Sequence, residues 1–202
     1  MTFRSSQGLV EYGCSMTWLI VLLVLVIAVG PVMYLVPTAA DKRLGGLREA
    51  ARRLGLTVQL TSVPKLDPAS HERVSAGGKS REPRLHCVAY RLALGDSLSA
   101  VRPLQLLRLP PQPTVPVEEV MPGWALAPAS DRDFWQQFNR AQQGEQLLER
   151  LTTYWPQDVL SLSIDEREIA CLWQEKAAVE SDAVMQISTA LKALRAFLVE
   201  RF

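Results

Sequence analysis

Histidine is scarce in this chain, with only His71 and His86, and cysteine is limited to Cys14, Cys87 and Cys171. A zinc site takes about four Cys, His or carboxylate ligands at short recurring spacings, and no CxxC, HxxxH or HExxH pattern occurs. Three widely separated cysteines, an odd number, do not make a disulfide framework. His86 and Cys87 are adjacent on an expected strand, where successive side chains point to opposite faces, so they do not form a nucleophile and its base. No GxGxxG or GxxxxGKS phosphate cradle exists. Gly45-Gly46 and Gly77-Gly78 therefore read as turns, although Gly77-Gly78-Lys79-Ser80 echoes the end of such a loop. Strong net charge is also missing: the formal total is +1, and the isoelectric point is 7.7. With basic residues not interleaved with aromatics, a nucleic-acid surface is not expected. No catalytic constellation, metal site, cofactor or small-molecule site emerges from these residues.

What is abundant is aliphatic surface. Hydrophobic residues make up 48% and charged ones 21%, which excludes a collagenous or wholly disordered chain. Much of the excess sits in an uncharged run, Trp18 to Val36. At about 1.5 Å per residue, a helix of that length reaches roughly the 30 Å of a bilayer's hydrocarbon core. Trp18 and Tyr34 stand near its ends, as interfacial aromatics do. A leader over 1–16 and a transmembrane helix over 17–37 are therefore expected, kinked at Gly30-Pro31. The alternative is a cleaved signal peptide ending at Thr38-Ala39-Ala40, but the apolar region exceeds the usual length of about 7–15 residues. Translation from Met16 is a further possibility.

Flanking charge sets the expected orientation. Arg4 stands alone before the run, whereas Lys42, Arg43, Arg48, Arg52 and Arg53 follow it. This puts the N-terminus outside and the C-terminal domain in the cytoplasm. With Trp18 and Tyr34, those five basic residues are the membrane-interface candidates, and the lipid bilayer is the first expected partner.

From Asp41 a helix with the stripe Leu44, Leu47, Ala51, Leu54 is expected, stopped by Gly55. Strictly alternating residues 56–61 read as a half-buried strand, and Leu85 to Leu94 as a second, with Val88, Tyr90 and Leu92 on one face. Between them, residues 63–83 form a loop or long hairpin connection. Val101 to Leu109 reads as a third strand, placed at an edge or broken at its start by Pro103. Six prolines between 110 and 128 predict an extended linker. A helix opened by Ser130 and Asp133 carries Phe134, Phe138, Ala141, Leu148, Leu151 and Trp155, with Gly144 as its weak point. A hairpin over residues 159–173 turns at Asp165–Glu168. A last helix from Ser181 or Asp182 buries Val184, Ile187, Leu191, Leu194 and Leu198.

The expected architecture is thus α+β: one transmembrane helix, then a soluble domain whose small antiparallel sheet is packed by about three helices on one face. Residues 41–109 form a basic helix-strand-strand half, 110–129 the Pro-rich linker, and 130–202 an acidic helix-hairpin-helix half of the same domain. Residues 41–108 hold 13 Lys/Arg against 6 Asp/Glu, and 109–202 hold 8 against 14. This asymmetry suggests a basic side facing an anionic leaflet.

Two resemblances bear on function. Gln7-Gly8-Leu9-Val10-Glu11-Tyr12-Gly13 ahead of the apolar run resembles the processing region of Flp-type pilins and TadE-like pseudopilins, with Ser6 where those families carry glycine. The short leader, single span and basic flank followed by Leu47-Arg-Glu-Ala-Ala-Arg-Arg-Leu-Gly-Leu56 resemble small uncharacterised single-span inner-membrane proteins of Gram-negative bacteria. The layout is similar to the translocase accessory subunit YajC in topology alone. These likenesses imply location. The expected role is a non-catalytic accessory or scaffold subunit with a membrane or cytoplasmic protein partner. The alternatives are a pseudopilin-like envelope component with its domain outside, and a membrane-anchored enzyme.

Overall fold

The computed structural model describes residues 18–29, 38–140, 144–153, 155–175 and 182–202. It divides the chain into two compact units, Met1–Lys42 and Arg43–Phe202.

In the first unit, residues 18–29 form helix α1, whose apolar side chains are exposed. Among the described residues no helix is long and apolar enough to cross a membrane. This overturns the transmembrane helix expected over 17–37 and, with it, the single-pass inner-membrane placement. Tyr34 and the Gly30-Pro31 kink lie outside the described residues, as does the leader. Helix α2 (Ala39–Arg53) begins two residues before the expected Asp41. Thr38 caps it: its hydroxyl accepts from the Asp41 N–H at 3.2 Å, while the Asp41 carboxylate accepts from the Thr38 N–H at 3.0 Å. That reciprocal pair is a capping box with aspartate in the usual glutamate position. The Thr38 hydroxyl, donating to the Asp41 carboxylate at 2.7 Å, and then the Thr38 N–H hold the Asp41 carboxyl below its ordinary pKa. Thr38-Ala39-Ala40, the cleavage site of the signal-peptide alternative, is the start of this helix.

The second unit carries the rest of α2. Gly45 and Gly46, expected as a turn, lie inside the helix. Ala51 is fully buried, Leu47 and Leu54 pack beside it, and Gly55 ends the helix in the left-handed region at φ 84°.

Seven strands follow: β1 (Thr57–Pro64), β2 (Arg84–Ala93), β3 (Leu104–Arg108), β4 (Glu119–Met121), β5 (Trp124–Leu126), β6 (Val159–Ile164) and β7 (Glu168–Trp173). They make one sheet in the order β1-β2-β7-β6-β3-β5-β4, antiparallel throughout. The sheet is larger than expected because the Pro-rich segment supplies two of its strands. Its prolines fall outside β4 and β5, and Gly123, at φ 76°, makes the turn between them. β3 is therefore not an edge. It runs between β6 and β5, and Pro103 precedes it, where the missing N–H breaks no ladder bond.

Alternation decides the two faces. Val88, Tyr90, Leu92, Leu104, Leu106, Leu162, Ile164, Ile169, Cys171 and Trp173 meet three helices in the main core. The helices are α3 (Arg132–Arg140), α4 (Gly144–Thr153) and α5 (Ala183–Arg201). The stripe Val184, Ile187, Leu191, Leu194 and Leu198 of α5 is buried as its spacing predicts. On the opposite face Cys87, Ala89, Ala170, Leu172 and Val63 cluster separately. Leu66, Leu107 and Ala127 form a third cluster with Leu109 and Val117, so loop residues bury part of the face that carries no helix.

The single helix expected from Ser130 to Trp155 is two. Asp131, not Ser130, caps α3, its carboxylate accepting from the Phe134 N–H at 2.9 Å. Ser130 instead holds the backbone of Gln105, accepting from its N–H at 2.9 Å and donating to its carbonyl at 3.0 Å. Gly144 is the reason α4 can start where it does. A Cβ there would lie 2.4 Å from the carbonyl oxygen of Phe138 and 2.8 Å from its ring. What reads as a weak helix position is a close contact only glycine allows. Gly144→Ala should therefore lower the unfolding free energy by about 1–3 kcal/mol in chemical denaturation. Gly45→Ala, where nothing lies within 4 Å, should instead raise it by up to about 1 kcal/mol.

Candidate functional site

Six of the seven sequence-derived interface residues are described, and Tyr34 lies outside the described residues. Trp18 is exposed on α1. Lys42, Arg43, Arg52 and Arg53 are exposed on α2. Arg52 and Arg53 both reach Glu49, at 4.0 and 3.3 Å. Arg48 departs from this group entirely. Its guanidinium donates to the Glu175 carboxylate through Nη2 at 2.6 Å and Nε at 2.9 Å. The same carboxylate accepts the Tyr90 hydroxyl at 2.5 Å. Arg48 is one member of an internal cluster that ties α2 and β2 to Glu175, the second residue after β7.

The Glu175 side chain is 3% exposed and that of Arg48 36%, so one charge is desolvated while the other reaches solvent. The hydrogen bond from Arg48 to Glu175 raises the guanidinium pKa further. Burial, and then the Glu175 hydrogen bond, push the Tyr90 phenol up. Glu175 is thus a carboxylate held by two donors, Arg48 and Tyr90. Arg91 and Glu168 form a second ion pair between the sequence's basic and acidic halves. The strands of the two halves are interleaved in the sheet.

His86 and Cys87 diverge as strand geometry requires. His86 is exposed, and Cys87 is buried in the cluster on the face away from the helices, its thiol pushed up to about 11 by burial. A hollow of about 410 Å³ is lined by Leu44, Arg48, Leu60, His86 and Glu175 among others, but its only carboxylate is already engaged by Arg48 and Tyr90. The carboxylates of the β6–β7 turn serve the backbone: Asp165 accepts from the N–H groups of Arg167 and Glu168 at 2.8 and 3.0 Å. Among the described residues no group of three or more His, Cys, Asp or Glu is placed to hold a metal ion.

The two edges of the sheet differ sharply. β4 has three residues, a register shift between Glu119 and Met121, and Pro122 directly after it. Short length, bulges, charge and proline are the devices that keep an edge from recruiting foreign strands. β1, at the other edge, has eight residues in unbroken register with β2. It carries no charged side chain, and its proline, Pro64, is its last residue.

The backbone direction of β1 follows from one hydrogen bond. Lys65 N–H donates to the Pro83 carbonyl at 2.9 Å, which continues the β1–β2 register. Hydrogen-bonded pairs alternate along an antiparallel ladder. Thr57, Gln59, Thr61 and Val63 therefore bond to β2, and Val58, Leu60, Ser62 and Pro64 turn their backbone groups to the open edge. The bond from Leu94 N–H to the Arg167 carbonyl at 2.8 Å agrees, placing the even residues of β2 toward β7. Arg84 occupies the Ser62 carbonyl at 2.9 Å, and the Leu56 N–H is held by the Ala51 carbonyl at 3.0 Å. Among the described residues, the stretch left unengaged is centred on Val58 and Leu60.

Leu60 is also 74% exposed, although it shares a face with buried Val88, its partner across the ladder. Alternation over residues 56–61 assigns Leu60 to the inward set, and the structure leaves it uncovered. The signal available in the sequence was the lack of any charge between Leu56 and Pro64, in a segment otherwise rich in charge. No family model, curated protein or solved structure matches the chain.

Proposed function

We propose that the chain is a non-catalytic interaction domain that docks by strand addition at β1. The observation that carries this reading is the contrast between a blunted edge at β4 and an uncharged, unbroken eight-residue edge at β1. An added strand gains main-chain hydrogen bonds, each a net stabilisation of about 0.5–1.5 kcal/mol. Covering Leu60 contributes roughly 1.5–3 kcal/mol more. Recognition of this kind takes affinity from the backbone and specificity from alternate side chains.

The test uses the full chain at nanomolar concentration against a displayed library of extended peptides. Selected peptides should slow hydrogen exchange at the Val58 and Leu60 amides and leave β4 unchanged. Leu60→Pro removes an N–H that points to the open edge and breaks no bond to β2, and it should weaken those peptides at least tenfold. A library that yields no binder sensitive to Leu60→Pro removes the reading.

A further inference from the structure

We infer that the strand received by β1 is β1 of a second copy of this chain, related by a two-fold axis through Gln59; this rests on the strand-addition reading. The unengaged backbone groups set the register. Leu56 and Ser62 are each partly engaged, by Ala51 and Arg84, so the fully available donors and acceptors are those of Val58 and Leu60. An antiparallel copy satisfies all of them when Val58 of one chain faces Leu60 of the other and the reverse. That gives four main-chain hydrogen bonds and uses no group already taken.

The side chains match in the same register. Antiparallel partners directly opposite each other share a face. Leu60, the exposed apolar residue of the strand, comes against Val58 on the helix side. On the other side Thr57 faces Thr61, a favourable hydroxyl pair. Gln59 faces its own counterpart, and an amide both donates and accepts, so it complements itself. No residue of β1 carries charge, so like-charge repulsion does not oppose two copies meeting. The patch is self-complementary, which an isologous two-fold contact requires.

The geometry provides its own probe. Because Val58 and Leu60 form the hydrogen-bonded pairs, Gln59 faces Gln59 as a non-hydrogen-bonded pair, with Cα atoms about 4.5 Å apart. That is within the span of a disulfide. In a Cys14→Ser background and in non-ionic detergent, which masks the exposed apolar residues of α1, Gln59→Cys should form a disulfide-linked dimer under mild copper-phenanthroline oxidation. Thr57→Cys faces Thr61, not itself, and should cross-link at least tenfold more slowly. Cys87 and Cys171 are buried and should not compete.

Adding Leu60→Pro or Leu60→Lys to Gln59→Cys should slow cross-linking at least tenfold. The lysine variant keeps the backbone donor, so a folding defect in the proline variant cannot decide the matter, and circular dichroism of each verifies the fold. Equal rates for Gln59→Cys and Thr57→Cys, or no effect of either Leu60 substitution, overturn the second copy as partner. If displayed peptides still protect Val58 and Leu60 in that event, strand addition stands with a different partner. If they do not, both readings fall.

Discussion

Trp173→Ala should lower the unfolding free energy by about 3–5 kcal/mol, a large part of a single domain's stability. Trp173 is fully buried and ends β7, opposite Val88 on one side and Val159 on the other. Its ring leans on Tyr90 with centroids 5.5 Å apart. Removing it opens a cavity where the two hairpins join. Trp173→Phe separates packing from polarity. The indole Nε1 is buried without a hydrogen-bond partner, so phenylalanine keeps much of the ring contact and removes an unsatisfied donor. Its cost should be less than half that of alanine. Urea unfolding followed by circular dichroism measures both, and equal costs would show that the ring packing was not what mattered.

The second large effect is expected at Arg48. Arg48→Met leaves the Glu175 carboxylate, 3% exposed, with the Tyr90 hydroxyl but no cation. Breaking a buried pair from one side costs about 3–5 kcal/mol; because Arg48 itself is 36% exposed, about 2–3 kcal/mol is the expected loss. Glu175→Gln keeps an acceptor for Tyr90 and should cost less. In the double variant the stranded charge is gone, and the coupling between the two sites should be about 1–2 kcal/mol. Arg52→Met, on the exposed side of the same helix, should change stability by no more than about 0.5 kcal/mol. Equal effects at Arg48 and Arg52 would mean that Arg48 is an ordinary surface residue.

Those two substitutions also mark what was legible in the sequence. Periodicity placed the buried stripe of α5, the alternation of β2 and the β6–β7 hairpin, because each is a local pattern with a local cause. The role of Arg48 was not legible: nothing within α2 distinguishes it from Arg52 or Arg53, and Glu175 lies far along the chain. The count of apolar residues over 18–36 spoke for a span, whereas among the described residues no helix is long and apolar enough to cross a membrane. Gly144 was read as a defect because its closeness in space to Phe138 is not something spacing alone reveals. The Pro-rich segment misled for a related reason. Proline density excludes a long strand, but three residues between two prolines suffice when Gly123 turns the chain and β3 waits as a partner.

The edge at β1 was legible only in half. Alternation placed a strand over residues 56–61, but its position at the sheet margin depends on none of the six other strands pairing with its outer side, which no local pattern reveals.

That same strand order governs how the chain must be assembled. The β6–β7 hairpin is inserted between β2 and β3, so the N-terminal hairpin and the β3–β5–β4 group have no contact in the sheet until the last third of the chain arrives. Pairings at such sequence separation make folding slow, on the scale of milliseconds to seconds. During synthesis, β2 and β3 each wait with one side unpaired, and a chain halted before the β6–β7 hairpin is complete has three open edges, at β1, β2 and β3, where the finished sheet has one.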